Sequence, residues 1–256
     1  VSCNYDDAAR GSWYRTTRAY NTVVIDGVTE AATSSELLWV PRRETPNRIT
    51  DWNPSGDLPS LTMVSPPEEA TNASVRWSRK ITLLTGHVAV ISDIFGAEGE
   101  HSYELLLHFP PSEVTVSPSG KEIAVKQVSR AENAAGTPEG SAAGSPSGVQ
   151  VQESPGTKAV APATIYSITP AGTGRFDTAR GLVSIRAVSI EAPVASCRFS
   201  ATGNACSHLL VIPSGRDGRP AVIRTRTRKG VTTFTIKDAG GVRTRFTVSA
   251  DGVLLT

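Results

Sequence analysis

Tyr14-Arg-Thr-Thr-Arg-Ala-Tyr-Asn-Thr-Val-Val-Ile-Asp26-Gly27 joins a polar, cation-rich approach to a short apolar strand that ends in a turn. Thr22, Val23, Val24 and Ile25 are β-branched and suit a pleated, half-buried surface, and Asp26-Gly27 is a strong hairpin-type turn signal. The stretch reads as a candidate site attached to a sheet.

The rest of the chain repeats this β character and offers few helix signals. Ile81 to Leu84, a turn at Thr85-Gly86 and Val88 to Ile94 read as strand, turn, strand. Ser102 to Phe109 is an apolar run stopped by Pro110-Pro111, which neither a helix interior nor a central strand accepts. Further strands are expected at Val114 to Val116, Glu122 to Val128, Ala163 to Thr169, Leu182 to Ile190, His208 to Ile212, Ala221 to Thr227, Val231 to Ile236 and Thr244 to Val248. The pattern predicts an all-β protein, a large antiparallel β-sandwich.

Two segments interrupt it. Residues 130 to 161 are dominated by Ala, Gly, Ser, Pro and Glu, so burial cannot offset their ordering entropy, and a mobile loop inserted between strands is expected. Residues 41 to 72 are rich in Pro, Asn, Asp and Ser but carry Trp52, Leu58, Leu61 and Met63, which predicts an ordered surface excursion with apolar anchors, reaching over a neighbouring groove.

Composition bounds the function. With 256 residues, 39% of them hydrophobic and 20% charged, the chain has enough apolar surface for one large core or two modest ones. A formal charge of +2 is too small to make nucleic acid the expected main partner, and no apolar run approaches the roughly 20 residues that span a bilayer, so no membrane insertion is expected. The sequence opens at Val1 inside structured-looking sequence, which leads us to expect the C-terminal part of a longer protein. Cys197 and Cys206 flank a short Gly-Asn segment and either close a disulfide or stand as free thiols, with Cys3 then unpaired. The cysteine spacing fits no familiar zinc pattern.

Trp13 to Gly27 resembles the segment of heparinase II/III-like polysaccharide lyases in which an Arg-x-Thr-x-Ala-His-Asn-Thr pattern precedes a strand ending in Asp-Gly. Arg79-Lys-Ile-Thr-Leu83, Val90-Ile-Ser-Asp-Ile-Phe95, Gly99-Glu-His-Ser-Tyr-Glu-Leu105 and His108-Phe-Pro110 follow in an order compatible with that family's sandwich. The resemblance covers residues 1 to about 115. It implies a supersandwich-like C-terminal domain that normally packs on an N-terminal α/α toroid, a domain this chain lacks, with an acidic polysaccharide held between the two. It also implies β-elimination at a uronate and a secreted or periplasmic location; no cofactor is expected.

The same resemblance assigns roles. Tyr5 is the expected proton-transfer residue; a tyrosine titrates near pH 10, so Arg10, Arg15 and Arg18 are expected either to favour its phenolate or to grip the substrate carboxylate with their planar guanidinium forks. Tyr20 and Asn21 complete the expected substrate contacts. Tyr20 stands where relatives carry a histidine, and because tyrosine is a poor zinc ligand no zinc is expected there.

Other candidates carry less. His101 and His108 are seven apart, so on one regular strand they face opposite sides and share no metal. Arg224, Arg226 and Arg228 alternate with Ile223, Thr225 and Thr227, which puts the cations on one strand face with Arg243 and Arg245 nearby, either a solvated face or a track for an anionic chain. Asn72-Ala-Ser74 fits an N-glycosylation acceptor, relevant only in a eukaryotic secretory pathway.

Overall fold

Among the described residues, alternating apolar and polar side chains form sixteen strands stacked in three layers. The computed structural model describes residues 13, 16–28, 48–65, 75–84, 88–127, 163–169, 173–185, 188–213, 222–228, 231–237, 243–249 and 252–255. In chain order the strands are β1 (Val23–Ile25), β2 (Arg48–Asn53), β3 (Ser60–Ser65), β4 (Arg76–Leu83), β5 (Ala89–Gly96), β6 (Glu100–His108), β7 (Ser112–Val116) and β8 (Glu122–Gln127). They continue with β9 (Ala163–Ile168), β10 (Arg175–Ile185), β11 (Val188–Thr202), β12 (Ala205–Pro213), β13 (Val222–Arg228), β14 (Val231–Lys237), β15 (Arg243–Ser249) and β16 (Gly252–Leu255).

The first layer is a four-stranded sheet in the order β1-β6-β11-β10, the middle one an eight-stranded sheet β2-β3-β4-β5-β12-β9-β8-β7, and the last a four-stranded sheet β13-β14-β15-β16. Every pairing is antiparallel. Period-two alternation assigns each strand's faces. Val23, Tyr103, Leu105, Cys197 and Phe199 of the first sheet meet Phe95, Ile123, Ile165 and Leu209 of the middle one in the larger core. The middle sheet's other face, through Val90, Leu210 and Ile212, packs on Phe234, Ile236, Phe246 and Val248 of the last sheet. The expected all-β, antiparallel sandwich is therefore what the chain forms, with a further layer on its back.

Several local expectations need correction. The single strand expected at Leu182 to Ile190 is instead the end of β10 and the start of β11, paired as a hairpin through Ile185 and Val188. The same alternation of β-branched residues with serine on both sides, Val183-Ser-Ile185 and Val188-Ser-Ile190, hid the reversal. Part of the expected excursion at 41 to 72 is a hairpin, β2 on β3, at the edge of the eight-stranded sheet. Trp52 is 65% exposed there, so it anchors nothing. The Cys197–Cys206 alternative resolves to two free thiols. β11 and β12 belong to different sheets, so Cys197 points into the larger core while Cys206 shares the opposite face of the middle sheet with His208 and Leu210. Burial pushes both thiols up, to about 11 for Cys197 and about 12 for Cys206, which makes them inert at neutral pH. Cys3, the Thr85-Gly86 turn, the 130 to 161 loop and Asn72-Ala-Ser74 lie outside the described residues.

Candidate functional site

The Trp13 to Gly27 element is fastened to β6 at several points. Asp26 and Gly27 take positive φ values of 52° and 71°, and Val28 N–H donates to the Ile25 carbonyl at 3.0 Å, the geometry of the primed turn that an Asp-Gly pair favours. The Asp26 carboxylate then accepts the Ser102 N–H at 2.9 Å and pairs with His101 Nδ1 at 2.8 Å. That bond to Asp26 holds the His101 imidazole above its usual pKa against the opposing effect of burial. Further along, Leu106 N–H donates to the Thr22 carbonyl at 2.8 Å, and the Asn21 side-chain oxygen accepts the His108 N–H. Just before the strand, Thr17–Ala19 forms one 3-10 turn whose buried residue is Ala19.

Below this element lies a buried ion pair. Arg79 on β4 and Asp93 on β5 face each other across the ladder, with Arg79 Nε and Nη2 donating to the two carboxylate oxygens at 2.8 and 3.0 Å. Asp93 is 0% and Arg79 8% exposed. The Trp77 indole N–H also donates to Asp93 at 2.9 Å, and the third arm of Arg79, Nη1, donates to the Asn21 carbonyl at 2.6 Å. One guanidinium thus ties the eight-stranded sheet to the polar approach that precedes β1.

On the solvent side of the first sheet, Glu104 is the centre of charge. Arg18 Nη2 donates to one of its oxygens at 2.8 Å, and Arg198 Nε and Nη2 reach the other at 2.9 and 2.7 Å. Burial would raise this carboxyl, but the hydrogen bonds and charges of Arg18 and Arg198 outweigh it and hold Glu104 below the ordinary range. Asp177 stands 3.9 Å from Arg198, so the cluster is balanced by count.

Beside it, His108, Leu106, Val24 and Val194 share the same sheet face with Trp13. Trp13 donates its indole N–H to the Leu182 carbonyl at 2.9 Å and meets the His108 ring edge-on, centroids 6.2 Å apart. Burial lowers the His108 imidazole below its usual value. Gly181 makes room for the indole: a Cβ there would stand 2.6 Å from both Trp13 Cζ2 and Val194 Cγ2. Gly181→Ala is therefore expected to displace Trp13 and cost about 1–3 kcal/mol, read as a lowered thermal midpoint; an unchanged midpoint would show that the seat is not tight.

These contacts place the residues singled out by sequence. Arg18, Tyr20 and Asn21 stand together on the element; Tyr20 is 45% exposed, and Arg18 is engaged by Glu104. Asn21 uses its side-chain oxygen and its carbonyl for bracing. Tyr5, Arg10 and Arg15 lie outside the described residues. His101 and His108 fall on opposite faces of β6, as their spacing requires. Among the described residues no set of His, Cys, Asp or Glu groups together as metal ligands. No helix among them is long and apolar enough to cross a membrane. Glu104, Arg198, Arg79 and Asp93 were not foreseen, although a charged residue inside an apolar strand, as in Tyr103-Glu-Leu-Leu-Leu107, is the signal that would have found them.

The model for the heparinase II/III-like, C-terminal domain matches residues 2–228, well past the residues that carry the motif resemblance. No curated protein sequence matches this one. Solved structures do. A heparinase III gene product is 12% identical with a TM-score of 0.59, covering 97% of this chain and 33% of its own. The heparan sulfate lyase HepC from Pedobacter heparinus is 13% identical at TM-score 0.59, covering 100% and 33%. A further heparinase III gives 9% and 0.57 over 94% and 31%. The chain thus spans about a third of the length of these proteins, and at such identities the likeness speaks to fold. Since the family match extends over residues 2–228 and includes the braced Trp13 to Gly27 element, the chain belongs to the heparinase II/III-like family, as its C-terminal domain.

Proposed function

We propose that this chain is the C-terminal part of a polysaccharide lyase that cleaves a uronate-containing polysaccharide by β-elimination, together with a helical toroid domain. The observation that carries the reading is the family match across residues 2–228, with Arg15, Thr17, Ala19, Asn21 and Thr22 keeping the motif's pattern. In the reaction a cation neutralises the uronate carboxylate, a base takes the C5 proton, the C4–O4 bond breaks, and an acid protonates O4, leaving a C4–C5 double bond. Tyr5 is assigned the proton transfer, and Arg10, Arg15, Arg18, Tyr20 and Asn21 the substrate contacts. A polymeric substrate of this kind places the protein outside the cell or in a periplasm.

The Arg18–Glu104–Arg198 cluster supports a refinement. Because Glu104 already engages Arg18, a substrate carboxylate would compete for that guanidinium, so Arg18 serves best as a shared donor with Glu104 fixing its direction. In the longer protein, Tyr5→Phe is expected to cut the appearance of ultraviolet-absorbing unsaturated uronate by about a hundred-fold or more, the usual scale for losing a general acid or base. Unchanged turnover would remove Tyr5 from the mechanism. The 256-residue chain alone is expected to release none from alginate, heparin or hyaluronan; robust release would show that the sandwich holds the whole machinery. A sandwich that only binds carbohydrate or supports its partner domain is the second reading, favoured by Tyr20 at the histidine position and by the near-neutral count of the Glu104 cluster.

A further inference from the structure

The outer face of the last sheet carries charges of one sign along adjacent rungs. Arg224, Arg226 and Arg228 project from β13 at every second residue, and the cross-strand register puts Thr235 and then Arg245 on the rung of Arg224. Arg243 and Lys237 share the neighbouring rung. All of these cations are exposed, and among the described residues no carboxylate pairs with any of them. Between the Arg rows of β13 and β15 runs β14, whose outward residues here are Thr233 and Thr235. Short side chains on the central strand and long ones on its neighbours make a trough of about 310 Å³, floored by threonine and walled by Arg224, Arg226, Arg228 and Arg245.

We propose that this trough is a second binding surface of the protein, holding an acidic polysaccharide by its sulfate and carboxylate groups, at the opposite side of the three-layer stack from the Glu104 cluster. The substrate class rests on the lyase reading; the site itself rests on the geometry. A sheet face left to water normally intersperses both signs, since like charges on adjacent rungs repel. Here the repulsion is retained along a track of roughly 13 Å from Arg224 to Arg228, at about 3.3 Å per residue. The choice of Arg over Lys suits planar, bidentate recognition of sulfate and carboxylate, and the Thr233 and Thr235 hydroxyls add donors on the floor. Nucleic acid fits less well. Single strands are held by bases stacked on aromatic platforms, whereas Phe234 and Phe246 of this sheet are both turned into the core, stacked on each other at 5.2 Å. Strands β14 to β16 also lie beyond the residues that the family model matches.

The test is binding of the full chain to heparin at a series of salt concentrations, against a variant with Arg224→Ser, Arg226→Ser and Arg245→Ser. Wild-type binding is expected to weaken steeply with salt, and the variant to bind about ten-fold or more weaker with a shallower salt dependence and an unchanged thermal midpoint. Equal binding by wild type and variant overturns the proposal, as does binding of oligo(dT) more tightly than heparin through the same arginines. Turnover of short oligosaccharides by the longer protein separates this from the lyase reading. Loss of heparin binding with turnover intact supports the trough as a distinct surface. Absence of turnover on every acidic polymer sinks the lyase and leaves the trough standing on its binding data.

Discussion

Asp93→Ala is expected to destabilise the protein by about 3–5 kcal/mol, the scale on which a buried ion pair fails when one partner is removed. The carboxylate is fully buried and takes two hydrogen bonds from Arg79 and one from Trp77, so its removal leaves a buried guanidinium without a counter-charge, held only by the Asn21 carbonyl and the Trp77 ring. The double replacement Arg79→Met with Asp93→Leu is expected to recover much of the loss, because burying apolar groups of similar volume avoids the desolvation of both charges. Urea midpoints of the single and double variants decide this. If Asp93→Ala unfolds within about 1 kcal/mol of wild type, the pair is not the internal tie that its geometry suggests. A second readout isolates the functional consequence. Arg79 also holds the Asn21 carbonyl at 2.6 Å, so the double variant, even when stable, is expected to exchange amide hydrogens faster around Thr17–Thr22 than wild type. The ion pair then matters less for stability than for fixing the element that carries the family motif.

Much of the fold was legible because strand faces alternate with period two. Where one face is apolar, as in Val231 to Ile236, the pattern predicts the strand, and the register agrees with it. β2 was missed because every residue in it is exposed, so no alternation survives to be read. The hairpin of β10 and β11 was fused into one strand because its turn falls within a run of good strand formers and carries no Gly, Pro, Asn or Asp. The third layer was invisible for a different reason. A strand apolar on both faces says that it is covered twice, but not by which elements.

The site was legible in position more than in wiring. The Asp-Gly turn and the polar approach to β1 were readable from local chemistry, while the partners that fix them are far along the chain: Glu104 for Arg18, Arg79 for Asn21 and His101 for Asp26. Such pairings depend on which strands become neighbours, and a single sequence does not state that. The arginine alternation in β13 was readable as one face; its continuation onto Arg245 required the register of β14 and β15.

Acid is expected to weaken the protein well before its carboxylates titrate, through His208. This imidazole lies between the middle and last sheets, its Nδ1 2.8 Å from the Ser92 hydroxyl and its Nε2 3.4 Å from Cys206 Sγ. Burial pushes it down to about 4, against a weaker opposing effect from the Ser249 backbone. The unfolded chain therefore binds a proton near pH 6.5 that the folded chain refuses until about pH 4, so stability falls as pH falls through that window. The loss amounts to roughly 3 kcal/mol at about 1.4 kcal/mol per pH unit. His108, also lowered by burial, acts in the same direction. Glu104 joins only at lower pH, since a carboxyl held below its ordinary value gives up its contribution as the pH falls through its folded value. His101 has the opposite sign: raised by Asp26, it stabilises fully below pH 6.5 and loses that contribution as the pH rises through its folded value. Thermal midpoints between pH 7 and pH 4 should thus fall steeply in wild type and less steeply in His208→Asn, which keeps a hydrogen-bonding group beside Ser92 without a titrating ring. The absolute stability of the variant is immaterial; the slope carries the result. Parallel slopes in the two proteins would show that the buried imidazole between these sheets is not the acid-sensitive joint.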